Sequence, residues 1–192
     1  MPVAIGATEN TFANPIGLLS DCHRRIERFL QSLLVVTSET QGGSLDVEHR
    51  RALDAALKYF RDAAPKHTAD EEEDLFPILR DIERPNVQQI LARVDRLEHE
   101  HKVAAVWHGD VDEIGERWLR QDHLSQRETV QLQEFLTSLS ALYQFHIAIE
   151  EQEVFPLAQM ELSDSEKAVI GRRMALRRGI PFIPEWALLK TP

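Results

Sequence analysis

One pattern occurs twice in this chain, and it constrains the fold more than any other feature. The first copy runs His67-Thr68-Ala69-Asp70-Glu71-Glu72-Glu73-Asp74-Leu75-Phe76-Pro77; the second runs His146-Ile147-Ala148-Ile149-Glu150-Glu151-Gln152-Glu153-Val154-Phe155-Pro156. The two align without gaps at an offset of 146 − 67 = 79 residues, sharing His-x-Ala-x-Glu-Glu-x-acidic-aliphatic-Phe-Pro. Residues four apart on a helix lie on one face, one turn above the other. His67 with Glu71, and His146 with Glu150, therefore each offer an imidazole and a carboxylate from a single face. Leu139, Leu142, His146 and Glu150 follow one apolar stripe, which turns the polar pair inward. A buried carboxylate needs a cation. Two such helices face to face would supply two imidazoles and two carboxylates, the carboxylates placed to bridge two metal ions. A solvated helix pair would explain one copy, but not two that end in the same Phe-Pro.

The rest of the chain reads as helix. Asn14-Pro15 offers an N-cap followed by proline at the first helical position. Ile16, Leu19, His23, Ile26 and Leu30 then recur at helical spacing until Gly42-Gly43. A second helix opens near Ser44 or Asp46 and runs through Leu53, Leu57 and Phe60 towards Leu79. A bend is expected at Pro65 and fraying at Pro77. Asn86 and Gln89 read as a capping pair for a third helix carrying Ile90, Val94, Leu97 and His101. Ser125 with Glu128, and Ser163 with Glu166, read as capping boxes that open a fourth helix and a short fifth one ending near Gly179. The expected class is all-α: an antiparallel up-down four-helix bundle over 1–162, with a short C-terminal helix and an extended tail packing on it over 163–192.

The two helices without a repeat should supply the remaining ligands from their apolar stripes, His23 from the first and His101 from the third. His99 competes with His101 but lies roughly 200° around the helix, and the stripe through Val94 and Leu97 favours His101. His108, two turns beyond His101, reads as a hydrogen-bonded core histidine, with a ligand or supporting role as the alternatives. Tyr59 and Tyr143 either fill the core or donate hydrogen bonds to a bound ligand.

Composition closes off other classes. Lys and Arg number 22 against 32 Asp and Glu, a net charge of −10, which argues against a phosphate-neutralising nucleic-acid surface and against docking on anionic lipid. Cys22 is the lone cysteine, so neither an intrachain disulfide nor a thiolate metal cluster can form. No apolar run approaches a membrane span and no secretory signal opens the chain. A cytoplasmic protein is expected.

The paired segments, with Glu100-His101 on the third helix and Cys22-His23 on the first, resemble the hemerythrin-like family of HHE cation-binding domains over roughly residues 14 to 160. The resemblance implies a four-helix bundle with a carboxylate-bridged di-iron centre. By it His23, His67, His101, His146, Glu71 and Glu150 are ligands, with the two glutamates bridging. The oxygen-carrying members have a further third-helix histidine where this chain has Ala105. Their fourth-helix carboxylate lies five residues after the histidine, whereas here Glu150 lies at four and Glu151 at five. Ala105 implies an open position, closer to the branch that senses iron or oxygen, handles nitric oxide or repairs iron centres.

Four imidazoles and two carboxylates without thiolate suit two iron ions, with manganese or zinc as substitutes. The leading expectation is a protein that binds, senses or reduces dioxygen, nitric oxide or peroxide. A regulatory module without turnover, working through a protein partner or a homodimer, is the alternative. Its sequence feature is the basic stretch Arg172-Arg173-Met174-Ala175-Leu176-Arg177-Arg178 in an acidic chain.

Overall fold

The computed structural model describes residues 10–181. Among them α1 spans Pro15–Thr40, α2 Val47–Asp62, α3 Ala64–Asp70, α4 Phe76–Arg80, α5 Pro85–Gln88, α6 Leu91–Gln121, α7 Gln126–Ile149, α8 Phe155–Glu161 and α9 Asp164–Arg177. Two π-helical turns, Glu71–Leu75 and Glu150–Val154, join α3 to α4 and α7 to α8. α1 packs on α2 and α7, and α6 packs on the same two, so four long arms close a ring in chain order. This is the all-α bundle the periodicity predicts.

Most helix ends lie where the sequence marks them. Asn14 accepts from the Gly17 N–H and Asp46 from the His49 N–H, while Ser125 and Ser163 form complete capping boxes with Glu128 and Glu166. α1 stops where Gln41 and Gly42 take positive φ, 51° and 76°. The start of the third arm differs from expectation. Pro85 opens a single turn, α5, and α6 begins only at Leu91, with no side-chain cap at Ile90. Asn86 instead donates to Glu161 at 2.7 Å. Its local capping pattern is outcompeted by a partner far along the chain.

The second arm is interrupted beside Pro65, where a bend is expected, but Pro77 acts differently. Pro65 and Pro77 each occupy the first turn of a new segment, α3 and α4, where a missing N–H costs nothing. The second arm breaks at Ala63 and passes into a π turn before Pro77, and it does not fray. The fourth arm repeats that device before Pro156. In each π turn the N–H of the phenylalanine reaches the carbonyl of the first glutamate, Phe76 to Glu71 and Phe155 to Glu150. In a regular α-helix residues five apart diverge by about 140°. Closing the turn with an i→i+5 bond brings them towards one face, and Glu71, Phe76, Glu150 and Phe155 are all buried.

The apolar interior is split in two. One cluster holds Ile26, Leu30, Phe60, Ala104, Trp118, Leu136 and Tyr143; the other holds Leu19, Leu75, Phe76, Leu97, Val154, Phe155 and Met174. Along every arm the changeover falls at the polar residues: Leu19, His23, Ile26 on α1, and Leu97, His101, Ala104 on α6. A layer of histidine and glutamate divides the bundle. α9 closes the second cluster with Ile170 and Met174. Gly171 allows it to run against the Phe12 carbonyl, which an added Cβ would meet at 1.9 Å. The tail expected after Gly179 lies from residue 182 outside the described residues.

Candidate metal centre

The six expected residues, His23, His67, Glu71, His101, His146 and Glu150, converge in the dividing layer, and all are buried, with both glutamates at 0% exposure. His23, His67 and Glu71 form one group of donor atoms within 4.8 Å of one another, and His101, His146 and Glu150 form a second. The carboxylates link the groups. Glu71 turns Oε1 towards Nε2 of His67 at 3.4 Å and of His23 at 3.8 Å, and Oε2 towards Nε2 of His101 at 3.4 Å. Glu150 turns Oε1 towards Nε2 of His146 at 3.3 Å and Oε2 towards Nε2 of His23 at 3.0 Å. Each glutamate thus presents one oxygen to each histidine pair. Both oxygens of Glu71, both of Glu150 and Nε2 of His23 are buried without a hydrogen-bond partner among the described residues. Fully buried carboxylates facing imidazole nitrogens, with nothing donating to them, fit a metal cation.

The facing groups also couple electrostatically. Burial would raise the carboxyl pKa of Glu71, yet His67, His101 and His23 hold it far below the usual range. Glu150 is also held down: burial and Glu71 push it up, and His146 and His23 outweigh them. Burial opposes charge on His101, but Glu71, Glu150 and Glu72 raise it to about 9; His23 rises well above its ordinary value against the same penalty, through Glu150, Glu151 and Glu71. His67 goes the other way, burial lowering it to about 4.

A second ring of residues, which the spacing argument missed, holds the histidines from outside. Glu151 accepts from Nδ1 of His23 at 2.7 Å, Glu72 from Nδ1 of His101 at 2.9 Å, and Glu100 from Nδ1 of His146 at 3.1 Å. With Nε2 turned inward, Nδ1 carries the proton, the arrangement by which carboxylates orient metal-binding imidazoles. The phenylalanines join in: Phe155 stacks on His23 with centroids 5.2 Å apart, and Phe76 lies parallel to His101 at 6.4 Å. Each repeat therefore points its first glutamate inward. Its second glutamate and its phenylalanine grip the lone histidine of a neighbouring arm. The doublet Glu-Glu, present in both copies, was the signal for this. It also separates Glu150, which faces the layer, from Glu151, which does not.

The remaining candidates sort clearly. His99 is exposed. His108 bonds Tyr143 through Nε2 at 2.9 Å and stacks on Phe60 at 4.2 Å, the core role expected of it. Burial lowers its pKa to about 4. Tyr59 turns away and donates to the Cys22 carbonyl at 3.4 Å. Tyr143 lines a cavity of about 340 Å³ that reaches all four histidines of the layer. Its other walls include Leu57, Phe60 and Ile147, and it extends past exposed Ala105 and Gly109 to the Arg61–Asp112 ion pair (2.6 Å) between α2 and α6.

Such a bundle, with two inward His-x-x-x-Glu pairs and two single histidines, defines a metal-binding helical class. The chain belongs to the hemerythrin family: residues 14–158 match the hemerythrin HHE cation binding domain. It is also similar to a Haemophilus influenzae protein described as uncharacterized, with 27% identity over 179 residues covering 88% of this chain and 93% of that one.

Proposed function

We propose that this chain is a dinuclear non-haem iron protein that binds and reduces, or senses, a small ligand such as dioxygen, nitric oxide or peroxide. The observation that carries the reading is the division of each buried carboxylate, one oxygen towards His23 and His67 or His23 alone, the other towards His101 or His146. Glu71 and Glu150 would bridge, and two histidines would complete each position. A nitrogen–oxygen donor set without thiolate favours iron, with manganese or zinc able to substitute. When bound, a ferrous pair supplies two electrons at one place.

The protein's own residues prepare the ligand space. Ala105, small and on the cavity wall, leaves room where a larger side chain would fill it. Leu57, Phe60 and Ile147 limit water there. Tyr143, whose phenol burial keeps protonated, and His108, which burial keeps neutral, form a hydrogen-bonded pair on the same wall. That pair can donate to a ligand oxygen or hold a proton for it. Anaerobic loading of chelator-treated protein with ferrous iron should give two equivalents per chain and an optical change on adding dioxygen, peroxide or nitric oxide. Failure to take up metal, or no optical response to any of the three, would refute the reading.

One observation favours a responsive role. Asp70, directly before Glu71 and at 0% exposure, is bound by Arg177 and by Arg178 (2.6 Å) at the end of α9, and Arg177 also reaches Asp74 at 2.8 Å. The basic stretch is thus fastened to the turn that carries a bridging glutamate. In a sensor, metal loading would change protease cleavage after residue 179; turnover with unchanged cleavage would point to an enzyme. No helix among the described residues is long and apolar enough to cross a membrane, and we take the site of action to be the cytoplasm, without nucleic acid or membrane as partner.

A further inference from the structure

The four inward histidines are not gripped alike. His101 donates from Nδ1 to Glu72, His146 to Glu100 and His23 to Glu151. The Nδ1 of His67 is buried with no hydrogen-bond partner among the described residues. The repeat explains why. Glu72 and Glu151 occupy the same position in the two copies, each holding the single histidine of another arm. Glu100 directly precedes His101 on α6 and holds the repeat histidine His146. The residue in that position on α1, directly before His23, is Cys22, which is buried and whose sulfur meets Arg25 at 3.9 Å. One carboxylate of a fourfold pattern is missing.

A carboxylate on the outer nitrogen fixes the ring and makes the inner nitrogen a better donor; its loss typically lowers metal affinity by about 10–100-fold. Each histidine pair otherwise faces similar carboxylate oxygens. We propose that the two metal positions have unequal affinity: the one at His101 and His146 fills first and empties last, and the one at His23 and His67 exchanges. Glu100 is then a positioning residue for the tight position, and Cys22 marks the loose one. The inference rests on the dinuclear reading above.

The test is a chelator-competition titration of the full metal-free chain with ferrous iron under anaerobic conditions, read as metal bound and never as turnover. Two phases separated by about 10–100-fold are expected, the tight one lost in His146→Gln and the weak one in His67→Gln. Glu100→Ala should weaken the tight phase by a similar factor and leave the weak one in place. Glu100→Gln, which keeps an acceptor oxygen, should recover part of the loss; damage to the fold would move both phases together. Cys22→Glu should draw the weak phase towards the tight one, and the Glu100 variants do not depend on α1 tolerating that change. Two equivalents in one phase, or the tight phase lost in His67→Gln, overturn this inference alone. Fewer than two equivalents overturn the dinuclear reading and this inference with it.

Discussion

The segments His67–Pro77 and His146–Pro156 have nearly the same inner face and different outer faces. Inside, both give histidine, glutamate, an aliphatic residue and phenylalanine, spaced by the same π turn. Outside, the first copy carries Asp70 and Asp74, bound by the arginines of α9. At the equivalent positions the second copy carries Ile149, packed on the apolar cluster, and Glu153, paired with Arg93 at 2.8 Å. What must meet in the middle is held constant. What faces the periphery differs between copies, and among the described residues only the first is joined to the C-terminal helix by ion pairs. If the layer is the function, the copies should fail alike when cut inside and differently when cut outside.

The largest effect should come from the inner glutamates. Glu71→Ala and Glu150→Ala should each drop bound metal well below that of the parent chain, because each removes an oxygen from both histidine pairs. Elemental analysis after anaerobic loading measures this, and a loss in one variant only would break the equivalence of the copies. Next come the phenylalanines. Phe76→Ala and Phe155→Ala each empty a buried ring site and remove a face from a histidine, so each should cost about 3–5 kcal/mol in denaturant unfolding.

The outer faces should separate. Asp70→Ala takes the carboxylate from Arg178, while Arg177 keeps Asp74 and Glu73, and should destabilise the protein by about 3 kcal/mol, with faster amide exchange in α9. Ile149→Ala, at a half-buried position, should cost about 1 kcal/mol and leave α9 exchange unchanged. Equal exchange in the two variants would mean that the arginine clamp does not hold α9.

The single-histidine helices extend the comparison. Seven residues after His101 lies His108; seven after His23 lies Leu30, in the apolar core. The folded pKa of His108 is about 4, below the ordinary 6.5 of the unfolded chain, so below pH 6.5 the unfolded state takes a proton that the folded state refuses. Stability should therefore fall as pH drops from 6.5 towards 4. The advantage of the parent over His108→Gln should shrink by about 2 kcal/mol between pH 7 and pH 5. An advantage independent of pH would place a charge on His108 in the folded protein.

Much of this architecture was legible locally. Caps at Asn14, Asp46, Ser125 and Ser163, the apolar stripes and the repeated His-x-x-x-Glu are patterns within a turn or two of chain. They sufficed to bring six residues to one layer. What escaped reading was non-local or depended on backbone closure. Glu72 and His101 are 29 residues apart, Glu151 and His23 128 apart, and no spacing rule links them. The π turns leave no mark of their own in the spacing, and Pro77, where fraying is expected, suits a fresh helical start equally well. Asn86 shows the converse: a sound local pattern lost to Glu161, 75 residues away.

The π turns also make the repeat a joint of two separable parts. A helix that closes five residues back carries one residue more than the regular spiral needs. Without Gln152, everything downstream of it would swing by about 100° and climb 1.5 Å less. The His146–Glu150 pair and Glu151 would be untouched while Phe155 left the face of His23. A single codon at Gln152 is therefore the distance between a neighbouring histidine held at its edge alone and one held at edge and face.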